Sequence, residues 1–158
     1  MIFALPPTGY SFKPSKTPHV YLTCHKGRER DYGIDTIRNI AHLVPEVTFH
    51  VYGVEGDDLK NVLYHGVVPE SQYNEEILNY QAGLRMNAFD GASEVMTKSI
   101  LLGQYPIAHI HHPHIDCFSN KEELLRLLKA LGNKNEVNRS NSEWWRNELE
   151  YSLNKLLA

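Results

Sequence analysis

Asp90-Gly91-Ala92-Ser93-Glu94-Val95-Met96-Thr97-Lys98-Ser99-Ile100-Leu101-Leu102-Gly103-Gln104-Tyr105-Pro106 is the stretch from which the rest of the chain can be read. Small and acidic residues open it, and the apolar positions Val95, Met96, Ile100 and Leu101 then recur at about helical period. Gly103 ends the helix, and Pro106 blocks its continuation before the next apolar run. The stretch is therefore a strand-to-loop-to-helix junction. In an α/β domain such a junction aims free backbone N–H groups and the positive end of a helix at one spot, which suits a phosphate. A phosphorylated ligand is expected here.

On either side of this junction, strand-like and helix-like segments alternate. Residues 19–24 (HVYLTC), 47–52 (VTFHVY), 62–65, 82–86 and 107–110 read as strands. Ile34, Ile37, Ile40, Ala41 and Val44 mark one helix face, and Pro45 stops it. A second helix starts at Pro69 and runs to about Tyr80, with Glu70, Glu75 and Glu76 biased toward its first half. Asn120 caps an amphipathic helix over 121–131 that Gly132 stops, and 142–157 forms a last helix with Trp145, Leu149, Leu153 and Leu156 on one stripe. Alternating β and α units with short connections imply an α/β fold, a Rossmann-like doubly wound parallel sheet with helices on both faces. Ligands of such sheets sit outside the carboxyl ends of the strands, so loops 24–32, 53–58, 66–69 and 87–94 are expected to meet. Residues 1–18, with Pro6, Pro7, Pro14 and Pro18, read as a linker or packed N-terminal arm, and 19–158 as the domain.

The chain has 158 residues, a length suited to one domain. A formal charge of −3 argues against nucleic acid as the partner, because a phosphate backbone calls for a basic field. No apolar run approaches the length of a membrane span and no signal-peptide pattern opens the chain, so a soluble cytoplasmic protein is expected. Cys24 and Cys117 form no paired motif and read as buried free thiols.

Chemistry concentrates in two places. The loop His25-Lys26-Gly27-Arg28-Glu29-Arg30-Asp31-Tyr32-Gly33 follows the first strand. Its arginines can grip a phosphate through two parallel hydrogen bonds, although it matches neither a dinucleotide fingerprint nor a P-loop. The cluster His109, His111, His112 and His114 lies at a strand end. No cysteine is spaced to complete a zinc site there, so a structural or pocket-lining role is expected, with no metal and no cofactor.

In order and spacing these features resemble the C-terminal, donor-binding domain of GT-B glycosyltransferases of the family-4-like group (group 1). The signs are the basic loop with Gly33-Ile34-Asp35 at the helix start, Val62 to Gly66-Val67 after the third strand, and Asp90-Gly91, Gly103 and Pro106. The resemblance covers about residues 19–131, and 144–157 fits the crossing helix that ends such proteins. It implies a nucleoside diphosphate sugar as substrate, transferred with retention to an acceptor hydroxyl. It implies that Asp90 contacts the sugar hydroxyls, that the amides of Gly91, Ala92 and Ser93 hold the diphosphate, and that Gly66 and Val67 seat the nucleobase.

Two positions depart from the family. Lys98 stands where a second acid usually holds the ribose, and a lysine has no acceptor for hydroxyl protons. Tyr32 stands where a lysine usually precedes the glycine, which leaves Arg28, Arg30 or Lys98 to meet the diphosphate charge. Glu94 either takes over the ribose or pairs with Lys98 one turn on. The acceptor-binding domain of such enzymes has no counterpart here, so the expected partners are a nucleotide sugar and that missing domain. A nucleotide-sugar epimerase of the same fold and a non-catalytic interaction module on a decayed nucleotide site are the rival readings.

Overall fold

The structure, a computed structural model, describes residues 12–13, 15–87, 93–109, 111 and 115–157. Six strands, β1 (His19–Thr23), β2 (Thr48–Tyr52), β3 (Val62–Gly66), β4 (Ala82–Arg85), β5 (Ile107–Ala108) and β6 (Asp116–Cys117), form one sheet in the order β3-β2-β1-β4-β5-β6. Every pairing is parallel, as the alternation of strand and helix requires. The order reverses between β1 and β4, which opens a crevice at their carboxyl ends.

Each face of the sheet is built from one parity of residues. On one face Val20, Leu22, Phe49, Val51, Val62, Leu84 and Ile107 meet α1 (Ile34–Ile40) and α4 (Lys121–Ala130) in an aliphatic core. On the other, Tyr21, Tyr52 and Ala108 meet α2 (Glu70–Glu76) and α3 (Glu94–Leu101). Helix α3 lies close against β4 because residue 83 is glycine. A Cβ there would stand 2.9 Å from Val95 Cγ1 and from the Val95 carbonyl oxygen, and 3.0 Å from Ser99 Cβ. Ser99 Oγ instead accepts a hydrogen bond from the Gly83 N–H at 2.9 Å.

The aromatic face carries a chain of polar groups across three strands. His19 Nδ1 lies 2.8 Å from His50 Nε2, and His50 Nδ1 lies 2.9 Å from His65 Nε2. Tyr52 donates to Glu76 Oε2 at 2.5 Å, its oxygen is 2.9 Å from the Tyr80 hydroxyl, and that hydroxyl is 3.2 Å from His50 Nδ1. Each hydroxyl and each neutral imidazole has one proton to give. With Tyr52 committed to Glu76, Tyr80 must donate to Tyr52, so His50 must carry its proton on Nδ1 and accept from His19 Nδ1–H. Thr17, 3.3 Å from His19 Nε2, is then the first donor of the line. All the bonds run one way, from the amino end of β1 to the Glu76 carboxylate on α2.

Where sequence and structure differ, the causes are local. Strand β6, two residues long, was not expected, since Asp116 and Cys117 offer no alternation to read. The helix before Gly132 tightens into a 3-10 turn, Leu131–Asn133, before it ends. The last helix, α5 (Arg139–Leu157), begins three residues before Ser142. Asn138 anchors its start, donating from its backbone to the Gly103 carbonyl at 2.7 Å and from its side chain to the Gln104 carbonyl at 3.2 Å. Ahead of β1, Phe12 is buried, the Lys13 N–H bonds the Leu78 carbonyl at 2.9 Å, and Gln81 donates to the Ser15 carbonyl at 3.1 Å.

Candidate functional site

Two adjoining cavities lie at the carboxyl ends of the strands, the smaller one beside the switch between β1 and β4. The larger, about 480 Å³, is lined by residues just past β1 (Cys24, His25), the end of β2 with Gly53, the loop Val67-Val68, and Glu70, Tyr73 and Glu94 on the helices above. The smaller, about 240 Å³, is lined by Thr23, His25, Tyr32, Arg85, Ser93, Glu94 and Val95. They share Thr23, His25 and Glu94, so one ligand can run from one into the other.

The backbone is shaped to leave this space open. Gly53 turns the chain out of β2 at φ 91°, and any side chain there would collide with the Cys24 carbonyl beside the cavity. Gly66 turns the chain out of β3 at φ 63° and presents Val67, which is 86% exposed, at the rim. Ser93 caps α3, its Oγ accepting from the Met96 N–H at 3.4 Å. The N–H groups of Glu94 and Val95, in the first turn, have no acceptor within the helix and face the crevice end of α3.

The candidate residues fall into three groups. Ser93, Glu94 and Val67 line the cavities, with Gly66 immediately beneath Val67. Arg28 and Arg30 are exposed and line neither; Arg28 is bonded to Asp31 at 3.0 Å. Asp90, Gly91 and Ala92 lie outside the described residues.

Lys98 lines neither cavity but pairs with carboxylates that do. Its ammonium lies 2.5 Å from Glu94, 2.7 Å from Asn74 Oδ1 and 3.6 Å from Glu70, and 5.0 Å from the centre of the Tyr73 ring. Its side chain is only 12% exposed, and the residue ties the first turn of α3 to α2. Of the two uses open to Glu94, the pair with Lys98 is made through Oε1, while Glu94 still borders both cavities.

Several lining residues carry no sequence motif. Arg85 ends β4 with its guanidinium 5.0 Å from the centre of the Tyr32 ring. Tyr73 and Glu70 come from α2, where they read as ordinary helix positions. The signal for Arg85 was a cation closing an otherwise buried strand, Ala82-Gly83-Leu84-Arg85. Burial, followed by the nearby Glu29 charge, pushes the Cys24 thiol up to about 11, which leaves it an unreactive wall of the larger cavity. Both cysteines are free; Cys24 is buried as expected, but Cys117, on the edge strand β6, is only half-buried.

Among the described residues no group of three histidines, cysteines or carboxylates could hold a metal ion. His109 faces the Phe118 carbonyl oxygen at 3.1 Å, His111 is exposed, and His112 and His114 lie outside the described residues. Among the described residues no helix is long and apolar enough to cross a membrane.

No known family profile and no curated protein sequence matches the chain. Solved structures do. The crystal structure of TarM matches over 90% of this chain and 34% of its own, with a TM-score of 0.66 and 16% identity. The GtfA/B complex matches over 91% of this chain and 36% of its own, with a TM-score of 0.58 and 13% identity. The glycosyltransferase GlyE of Streptococcus pneumoniae matches over 75% of this chain and 33% of its own, with a TM-score of 0.53 and 15% identity. The chain thus spans about a third of the length of these proteins, and at such identities the likeness is one of fold. The strand order, the helices on both faces and these neighbours agree: the chain has the Rossmann-like α/β fold of one half of a GT-B glycosyltransferase.

Proposed function

We propose that this chain is the donor-binding half of a glycosyltransferase and holds a nucleoside diphosphate sugar in the crevice between β1 and β4. The observation that carries the reading is the pair of joined cavities at the switch point of the sheet, one bordered by Val67 and two carboxylates, the other by a helix start and a guanidinium. The larger has the size and mixed lining of a nucleoside site, with Val67-Val68 against the base and Glu94 near the ribose hydroxyls. The smaller suits a diphosphate, whose charge the first-turn N–H groups of α3 would meet. An acceptor-binding domain would close over the exposed rim, and the sugar would pass to its hydroxyl with retention. As negative charge grows on the departing diphosphate, the same donors would stabilise it.

Stability measured against UDP, GDP, ADP, CDP and dTDP tests this. One base is expected to raise the melting temperature by several degrees near a hundred times its dissociation constant. No rise with any of the five sinks the proposal. One observation favours a second reading, a non-catalytic module on a decayed site: Lys98 is fully engaged in holding α2 to α3, where the resemblance places an acid. That reading expects no binding by the wild type and a gain of nucleotide binding in Lys98→Glu.

A further inference from the structure

One wall residue of the larger cavity carries a hydroxyl that the fold itself leaves unused. Tyr73, one turn after Glu70 on α2, lines that cavity with it. The residue is only 7% exposed, and its hydroxyl oxygen is buried with no hydrogen-bond partner among the described residues. Buried polar groups of folded proteins are nearly always paired, so an orphan in a cavity wall marks a place for a ligand atom. The ring does not need the oxygen. It meets Tyr21 and Tyr52 edge-on, at 6.0 and 5.0 Å and 75° to each, and the Lys98 ammonium at 5.0 Å. A phenylalanine would make all three contacts.

The surroundings define what this hydroxyl can meet. Burial, then the nearby Tyr21, Glu94 and Tyr80, push its pKa up, so it keeps a proton to give. Glu94 borders the same cavity with Oε1 paired to Lys98, and a carboxylate has further lone pairs that only a donor can use. A phosphate oxygen beside Glu70 and Glu94 would be repelled, and a base carbonyl could accept from Tyr73 but would offer nothing to Glu94. A ligand hydroxyl does both: it accepts from the phenol and donates to the carboxylate.

We propose that Tyr73 donates to a ribose hydroxyl of the bound nucleotide and is the residue by which the larger cavity tells ribonucleotides from their deoxy forms. The proposal rests on the donor-binding reading above and adds a specificity-determining residue to it. It also accounts for the orphan: the hydroxyl weakens the empty protein and finds its partner when the nucleotide arrives. Affinity and stability are therefore opposed at this one oxygen.

The test uses the full chain and whichever base stabilises it most, as the ribo, 2′-deoxy and 3′-deoxy nucleoside diphosphates, with dissociation constants measured by calorimetry. The wild type is expected to bind at least one deoxy form about 10- to 100-fold more weakly, because a site built to bond a hydroxyl is left with buried unpaired groups when it is missing. Tyr73→Phe should weaken the ribo form about 5- to 50-fold and bring the forms closer together. A ring with a purely structural role would change all three forms alike. Without nucleotide, Tyr73→Phe should melt at the wild-type temperature or a few degrees higher, since it keeps the ring and removes the orphan. A lower melting temperature would show that the hydroxyl has a partner inside the fold and would overturn the proposal. Equal binding of all three forms by the wild type, or a discrimination that Tyr73→Phe leaves intact, overturns it while the donor-binding reading stands. If the wild type binds none of the five nucleoside diphosphates, that reading falls and this assignment falls with it.

Discussion

Asn61 shows how much one residue can hold without announcing itself. It is buried ahead of β3, and its amide N–H groups lie 2.9, 3.2 and 2.9 Å from the carbonyl oxygens of Ala41, Val44 and Val47. Those carbonyls belong to the irregular turn between α1 and β2, where the Ala41 and Val44 oxygens also accept from the Val44 and Val47 N–H groups at 3.2 and 3.0 Å. Asn61→Leu fills the same space and removes a donor from all three, leaving the Ala41 and Val44 oxygens their turn bonds, so it should cost about 1–3 kcal/mol in denaturant unfolding. A loss below about 0.5 kcal/mol would show that water replaces the amide there. In the sequence Asn61 sits among polar turn residues and reads as one more of them. Its partners are far along the chain, and single-residue properties do not reveal such a meeting. The place of Arg85 in the cavity wall was hidden for the same reason, because its guanidinium meets a ring 53 residues earlier, that of Tyr32.

Elements are positioned by groups whose charge depends on their surroundings. Burial, with the neighbouring His19 and His65 adding to it, pushes the His50 imidazole down to about 3. The unfolded chain titrates this residue near 6.5, so below that pH it binds a proton that the folded protein refuses. His50 therefore costs nothing at pH 7 and lowers stability progressively as pH falls from 6.5 toward 3, by about 2 kcal/mol at pH 5. Unfolding midpoints measured from pH 7.5 to 4.5 should fall more steeply for the wild type than for His50→Phe. Parallel curves would show that other groups set the slope. Burial alone would raise the Glu76 carboxyl, but hydrogen bonds from Tyr52 and Gln72 outweigh it and hold its pKa below the usual range. The terminal acceptor of the line thus stays ionised while His50 stays neutral. A second link between elements is Lys98. Lys98→Ala removes the tie between α2 and α3 and leaves Glu70 and Glu94 facing each other, so it should cost about 1–2 kcal/mol. Rescue by high salt would confirm that the loss is electrostatic. The i,i+4 spacing of Glu94 and Lys98 was readable in the sequence; the reach to Glu70 and Asn74 on another helix was not.

For the whole molecule, periodicity and punctuation were enough. Gly53, Gly66 and Gly103 end elements where they were expected to, Asn120 caps α4 by accepting from the Glu123 N–H at 2.9 Å, and the alternation of strands and helices gave the doubly wound sheet. The rim loops were legible because topology alone sends them to one edge. The chemistry within the rim was less so, since it depends on which side chains turn inward. Scale also sets the size of the ligand test. For a domain of 158 residues each 1 kcal/mol moves the melting point by roughly 2–4 °C, so binding at a hundred times the dissociation constant should shift it by about 5–10 °C. The sheet order has one more consequence, for the way the chain is made. Of these six strands β1 leaves the ribosome first, yet one of its two neighbours is β4: Val20 pairs with Ala82 and Tyr21 with Gly83. Once β2 has zipped onto one side, the other side of this central strand stays an open template until residue 83 has emerged. During that interval the nascent protein presents Tyr21 and a row of bare amides to anything nearby. A strand that ends up buried between two neighbours in the finished protein is thus exposed while it is being synthesised.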